Sequence, residues 1–230
     1  MCSSDLWTVK HFHERWQTEH GGTRSYSWTK KTLQAAGRAT RRGAHRKKRP
    51  RKPLPGMMLH QDGSTHEWVP NSQWDLIVTL DDATTEIYSA FFVEEEGTLS
   101  SFRGLQEVME TKGLFSSLYT DRGSHYWHTE EAGGAVDKVR LTQVHRALQQ
   151  LGITLIAAYS PEARGRSERG FRTLQDRLPK ELALAGITEM AAANQYLTDQ
   201  FLPQHNARFK IKGVGSLFMS GSCRVRSVSA

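Results

Sequence analysis

Apolar positions along the chain change rhythm near residue 57. Before it they are sparse and recur at helical intervals. Residues 8–20 suit one helix, Gly21-Gly22 interrupts it, and 25–37 suits a second. Ser25 stands at an N-cap position, Trp28, Leu33 and Ala36 are expected to face inward, and Gly37 supplies the stop. After 57 the pattern becomes short apolar runs alternating with amphipathic stretches. Strands are predicted over 57–62, 76–80 (LIVTL) and 87–93, with a turn at 82–85, forming an antiparallel meander. Thr98 is placed to cap a helix that ends at Gly113, with Leu99, Phe102, Leu105 and Met109 on its inward face.

A fourth strand is predicted at 117–120 (SLYT). Thr142 opens a helix carrying Val144, Leu148 and Leu151 that stops at Gly152, and 153–159 (ITLIAAY) is the fifth strand. A long helix then runs from Ser160-Pro161 to Leu178, where Pro179 is expected to end or kink it before a restart over 179–184. The order βββαβαβα indicates an α/β fold with a mixed five-stranded sheet. From Lys210 the chain is rich in Gly, Ser and Val without a clean period, as at a frayed end.

Charge divides the 230 residues differently. The formal net charge is +7, from 31 Lys+Arg and 24 Asp+Glu. Nine of the cations and no acid fall between Arg38 and Lys52, so the rest of the chain is slightly acidic. A globally basic, histone-like protein is excluded. Pro50, Pro53 and Pro55 oppose helix there, so the stretch reads as an extended linker. Arg41, Arg42, Arg46, Lys47, Lys48 and Arg49 make it a candidate phosphate-binding strap, the plain alternative being a solvated tail. A helical pair ahead of a basic run also suits a helix-turn-helix, against the simpler reading of an αα-hairpin. The organisation expected is a helix-turn-helix-like segment over 1–37, a basic Pro-rich linker over 38–56, a core over 57–200 and an irregular tail over 201–230.

Cys2 and Cys223 at opposite ends build neither a disulfide framework nor a cysteine zinc site. No apolar run approaches a membrane span, and the start lacks the pattern of a secretory signal. A soluble, cytoplasmic protein without a membrane partner or small-molecule cofactor is therefore expected. His11, His13 and His20 have no cysteine neighbours to complete a zinc site.

Three carboxylates stand where a site would need them. Asp62 is expected to close the first strand, Asp121 follows 117–120, and Glu168 lies in the first turn of the long helix. Glu168 shares a helical face with Phe171, Leu174, Gln175 and Leu178, so it is expected to aim at the sheet. Three converging carboxylates require a cation. Oxygen-only donors suit Mg²⁺ or Mn²⁺, and two such ions suit an in-line phosphoryl displacement. Taken singly, each acid is equally a turn former or a helix-dipole partner. Asp81 and Asp82 rank behind Asp62, because a turn hydrogen bond suffices to explain Asp82. Arg164, Arg166, Arg169 and Arg172 near the third acid are candidates to hold phosphates, or form a solvated face with Asp176. Tyr126, Trp127 and Tyr159 are candidates for base stacking or for core positions.

These residues resemble a known family. Tyr159-Ser160-Pro161-Glu162-Ala163-Arg164-Gly165-Arg166-Ser167-Glu168 resembles the Y-x-P-x-x-x-G-x-x-E segment of retroviral-type integrases and insertion-sequence transposases. Leu118 to Ser124 resembles their strand-ending D-N-G-S signature, with Arg122 in place of the commoner Asn. His60-Gln61-Asp62-Gly63-Ser64 and Ala163 to Phe171 resemble the H-x-D-G-S and A-x-G-R-x-E-R-x-F motifs of ISNCY-type transposases. The resemblance implies an RNase H-like catalytic core, a D-D-E site of Asp62, Asp121 and Glu168 with two Mg²⁺ or Mn²⁺ ions, and DNA strand transfer by a homo-oligomer on DNA at the nucleoid. It also favours the DNA-reading view of 25–37. The interval from Asp121 to Glu168 is longer than in retroviral integrases, by a polar insertion over 126–140 expected to form a loop or small hairpin at the site's rim. Residues 1–6 and 210–230 match nothing in the family, which makes a truncated copy the expectation. The rival readings are a catalytically incompetent, decayed transposase that only binds nucleic acid, and a nuclease that cuts without joining.

Overall fold

The structure is a computed structural model that describes residues 9–39, 50–131, 134–159, 161–213, 215 and 217–219. Only the backbone is described over 161–167 and at Lys10, His11, Glu14, Arg15 and Thr18. The chain separates into two compact units, Met1–Lys47 and Lys48–Ala230.

The first unit is a helical pair, α1 (Val9–His20) and α2 (Tyr26–Ala35). Gly21, at φ +61°, turns the chain, and a side chain at Gly22 would overlap the Trp16 ring at 2.3 Å. Ser25 caps α2 by accepting the Trp28 N–H at 3.3 Å. Beyond the helix Gly37 takes φ +68° and the Arg38 N–H returns to the Leu33 carbonyl. The inward residues differ from expectation. Trp28 and Ala36 are exposed, and Thr29 is the buried residue of α2. His13 Nδ1 meets Thr29 Oγ1 at 2.8 Å, while the Trp28 ring stacks on Trp16 and has the Arg24 guanidinium over it. A polar contact and a ring stack close this hairpin, where Trp28, Leu33 and Ala36 were expected to face inward.

The second unit is built on a sheet of order β3-β2-β1-β4-β5. Strands β1 (Leu59–Val69), β2 (Ser72–Asp81) and β3 (Ile87–Val93) form the antiparallel meander, and β4 (Ser117–Thr120) and β5 (Thr154–Ala157) run parallel to β1. Helices α3 (Thr98–Lys112) and α4 (Gln143–Gln150) cover one face with Leu105, Val108, Val144 and Leu148 against Leu59, Leu118 and Leu155. Helix α5 (Pro161–Leu184) covers the other, placing Phe171, Leu174, Leu178 and Leu182 on Trp68, Leu76, Val78 and Leu80. The mixed α/β sheet is the architecture expected from the pattern.

Four details depart from expectation. Strand β1 continues seven residues past Asp62, so Asp62 does not close it. Antiparallel pairing with β2, from Leu59↔Asp81 to Val69↔Ser72, satisfies the backbone even where β1 is polar. Leu99 is 85% exposed, and the buried face of α3 is Ser101, Gly104, Leu105 and Val108. Gln61 sets that rotation by donating to the Ser101 carbonyl and to Thr79 Oγ1. A side chain at Gly104 would sit 2.6 Å from Gln61 Nε2. Helix α5 passes through Pro179 without ending, because Leu178 and Leu182 on either side of it are both fully buried.

The segment from 201, expected to be irregular, begins instead with helix. Helix α6 (Met190–Tyr196), a π-helical turn (Leu197–Phe201) and α7 (Leu202–Phe209) lie along the outer edge of β3. Asn194 and Asn206 each accept a β3 N–H and donate to the same residue's carbonyl, at Phe92 and Ile87 respectively. These side-chain amides replace the missing neighbour strand at that edge. Further on, the Leu217 N–H bonds the Pro55 carbonyl and Met219 pairs with Leu114. Among the described residues no helix is long and apolar enough to cross a membrane.

Candidate active site

The site is organised by the parallel pairing of β1 with β4, Leu59↔Leu118 and His60↔Tyr119. The ladder ends there. Asp62 lies two residues further along β1, and Asp121 two residues further and just past the end of β4; continued that far, the register would bring them level. Side chains two apart share a face. The rings of His60 and Tyr119 lie 5.1 Å apart, and Asp62 and Asp121 follow on that same side, the side covered by α5. Asp62 is 8% exposed and Asp121 is half-buried. Asp121 Oδ1 accepts the Gly123 N–H at 2.8 Å, a short turn that holds the carboxylate at the end of β4.

Tyr126 reports on the same region. Its hydroxyl donates to Gln61 Oε1 at 2.7 Å, and the side chain is fully buried. Burial pushes the phenol well above its ordinary value. A hydrogen bond with Ser101 opposes this, and the nearby charges of Glu96, Asp121 and Asp62 add to it. Three carboxylates therefore act on one hydroxyl. Glu96 was not singled out from the sequence. In the fold Glu94 and Glu95 are exposed but Glu96 turns in. Its N–H donates to Asp75 Oδ2, and its Oε1 lies 3.3 Å from His125 Nε2.

Helix α5 runs along β1 on the Asp62 side, and Gln175 Nε2 donates to Ser64 Oγ two residues beyond Asp62. Glu168 lies two turns N-terminal of Gln175. Phe171, Leu174 and Leu178 do pack on the sheet, yet Glu168 itself is exposed. Among the described residues no three His, Cys, Asp or Glu side chains stand close enough together to hold a metal ion. Asp62, Asp121 and Glu96 thus share the surroundings of Tyr126, while Glu168 faces solvent.

Asp81 and Asp82 have a different task. Asp81 accepts from the Gly56 N–H, the Thr84 N–H and Thr84 Oγ1. Asp82 accepts from the Lys52 N–H and meets His60 Nε2 at 2.8 Å. The turn-bonding acid is thus Asp81, and Asp82 ties the end of the linker to β1. Among the basic candidates, Arg41, Arg42, Arg46, Lys47, Lys48 and Arg49 lie outside the described residues, as do the side chains of Arg164 and Arg166. Arg169 and Arg172 are exposed. Tyr126 and Trp127 are core residues, Trp127 donating to Thr120 Oγ1 at 3.1 Å. Tyr159 is 58% exposed with the Arg122 guanidinium over its ring, so it alone of the three presents a free aromatic face. The insertion after Tyr126 folds back through a Thr129↔Val136 bridge.

The sheet order, the two flanking helical layers and the acids at the β1/β4 edge define an RNase H-like fold of the integrase catalytic-core kind. The simian T-cell lymphotropic virus intasome, solved with the PP2A regulatory subunit B56 gamma, contains a chain of similar fold. The likeness has a TM-score of 0.54 at 19% identity over 84% of this chain and 69% of that one. By sequence the chain is a relative of insertion-sequence transposases. It is 35% identical over 158 residues, 68% of its length, to the "Putative transposase y4bF" of Sinorhizobium fredii (strain NBRC 101917 / NGR234). It is 31% identical over 170 residues, 74% of its length, to the transposase for insertion sequence IS1202 of Streptococcus pneumoniae. The chain spans about a third of the length of these curated relatives, 34% and 36%. No family model matches it.

Proposed function

We propose that this chain carries out transposase-type DNA strand transfer, with Asp62, Asp121 and Glu168 as its catalytic carboxylates. The observation that supports the reading is the β1/β4 register: continued two residues beyond its last pair, His60↔Tyr119, it would bring Asp62 and Asp121 level. The donor set at that edge is carboxylate oxygen without thiolate, which fits Mg²⁺ or Mn²⁺. Asp62 and Asp121 would hold two such ions with Glu168 from the first turns of α5. Bound there, the ions would supply activation of the attacking hydroxyl and stabilisation of the leaving oxygen.

The protein's own groups do the rest. Asp121 is held in place by the Gly123 N–H. Arg169 and Arg172, with Arg164 and Arg166 on the same helix, are available to clamp phosphates, and Tyr159 to stack on a base. A phosphodiester at an element end is hydrolysed, and the freed 3′-OH then attacks the phosphorus of a target phosphodiester at the same carboxylates, forming a new O–P bond as the target's P–O3′ bond breaks and its 3′ oxygen leaves with a proton. Joining two ends calls for a homo-oligomer on DNA, in the cytoplasm where the nucleoid lies. The linker cations from Arg41 to Arg49 supply salt-sensitive affinity for the backbone. In this reading Asp62→Asn, Asp121→Asn and Glu168→Gln each abolish Mg²⁺- or Mn²⁺-dependent nicking of a DNA end and leave gel-shift affinity intact. Unchanged nicking in any one removes that residue from the set.

The exposed position of Glu168 favours one rival, a chain that binds nucleic acid without cutting it. Incubating the full chain with an end fragment and Mn²⁺ separates the two. Shifted but uncut DNA supports the binder, and strand-transfer products from a pre-cleaved end support the transposase over both the binder and a simple nuclease.

A further inference from the structure

A second pair of side chains lies beneath the Asp62/Asp121 edge. Gly63 follows Asp62, and the space a side chain would fill there is taken by Glu96, whose Oε2 lies 2.2 Å from the position of an added Cβ. Gly123 is the second residue after Asp121. An added Cβ there would lie 2.9 Å from His125 Cε1 and 3.0 Å from Asp121 Oδ1. Glu96 and His125 meet each other at 3.3 Å. The contact is within ion-pair distance but off hydrogen-bond alignment, and His125 Nε2 is buried without another partner among the described residues. Both members are anchored from behind. Asp75 holds the Glu96 N–H, and the His125 ring packs 4.1 Å from that of Tyr126, which is bonded to Gln61. The chain of contacts thus leaves β1 at Gly63, crosses Glu96 and His125, and returns to the β4 loop at Gly123.

Resting on the strand-transfer reading above, we propose that Glu96 and His125 are a positioning pair. Seated on Gly63 and Gly123, they set the separation of Asp62 and Asp121 across the gap where the β1/β4 ladder has ended. The parallel ladder stops at His60↔Tyr119, so no backbone bond fixes the two acids relative to each other. Two carboxylates left without a ladder repel one another and drift apart. The bridge opposes that drift from the α3 side of the sheet, opposite the face on which the acids lie. It also accounts for glycine at both positions: a methyl group at 63 would evict the Glu96 carboxylate.

The test is Mn²⁺ affinity of the full chain, read by calorimetry or by the free-ion resonance signal, with circular dichroism to confirm folding. Residues that orient metal ligands typically change affinity by about 10–100-fold when lost. Glu96→Ala and His125→Ala are each expected to weaken Mn²⁺ binding about tenfold, and the double variant no further. Gly63→Ala is expected to reproduce Glu96→Ala, and to add nothing in its background, because the vacated space accepts the methyl. Glu96→Gln, which removes the charge but keeps an oxygen for the contact, is expected to recover most of the affinity. Glu95→Ala on the exposed neighbour serves as control. Equal losses in Glu96→Gln and Glu96→Ala with no loss in His125→Ala would show a simple charge effect and overturn the bridge. So would wild-type affinity in both alanine variants while Asp62→Asn binds poorly. Wild-type affinity in Asp62→Asn overturns the metal-site reading itself, and the bridge with it.

Discussion

Two pairs of aspartates lie on neighbouring strands of the same sheet, and they have opposite surroundings. Asp81 and Asp82 close β2 and are wholly buried. The acceptor oxygens of Asp81 meet the Gly56 and Thr84 N–H groups and the Thr84 hydroxyl. Those of Asp82 meet the Lys52 N–H and His60. Asp62 and Asp121 stand at the opened end of the β1/β4 ladder, with each other and Glu96 acting on the Tyr126 hydroxyl. Burial does not tell the pairs apart, since Asp62 is also 8% exposed. Their neighbours do. One pair is held by backbone and side-chain donors of the frame; the other shares the surroundings of a buried phenol with a third carboxylate, Glu96.

The contrast is tested most severely by activity. Asparagine at 62 or 121 is expected to bring metal-dependent nicking to background. Asparagine at 82 keeps an acceptor for Lys52, and is expected to leave nicking within a few-fold of the parent once the fraction folded is accounted for. If Asp82→Asn also brings nicking of well-folded protein to background, the division between framework and chemical acids is wrong.

Stability reverses the ranking. Asp81→Ala strands two buried N–H groups and a hydroxyl, at roughly 1–3 kcal/mol for each unsatisfied group. A total loss of about 3 kcal/mol or more in urea denaturation is expected. Asp62→Ala removes one of three carboxylate charges around Tyr126, which relieves like-charge repulsion, and is expected to cost less than Asp81→Ala. A loss at Asp62 as large as that at Asp81 would place Asp62 in the frame.

The comparison also shows what could be read before folding. Strands 87–93 and 117–120 and the helix from Thr98 to Lys112 were legible because period and turn chemistry agree locally. The place of Asp121 just past a strand was legible because a Gly-Ser turn follows the short run 117–120. The true end of β1 was not, since polar residues from Ser64 to Glu67 are held by β2, a long-range pairing with no local signal. Leu99 was misplaced for a similar reason: Gln61 and Gly104 rotate α3, and neither belongs to its apolar pattern. Pro179 predicts an end or a kink because its local cost is real; the helix does not end there, since Leu178 and Leu182 are held in the core. Glu96 could not be told from Glu94 and Glu95 without Asp75 and His125.

A smaller effect separates the partners of the two pairs. His60→Phe keeps the ring packed on Tyr119 but deprives Asp82 Oδ1 of its buried partner. A loss of about 1–3 kcal/mol in urea denaturation is expected. Asp82→Asn in that background should return part of it, because an amide carries less desolvation cost than a buried carboxylate that has lost one of its donors. Equal stabilities of the single and double variants would mean that His60 does not serve Asp82.

The smallest expected effect lies under the open pair. Tyr126→Phe removes the hydroxyl that Gln61 Oε1 accepts, and is expected to cost about 1 kcal/mol at pH 8. Its pH dependence carries the sharper information. Burial first, then the charges of Glu96, Asp121 and Asp62, hold the folded-state phenol well above the unfolded value near 10. A raised phenol binds its proton more tightly in the native state. The stability it contributes is therefore fully present below about pH 10 and is lost as pH rises from there toward the folded pKa. The phenylalanine variant has nothing to lose in that window. The stability difference between parent and variant should narrow steadily above pH 10, while other tyrosines, common to both proteins, cancel. A difference that stays constant with pH would mean that Tyr126 ionises as freely in the fold as outside it. The carboxylates at 62, 96 and 121 would then not share its surroundings.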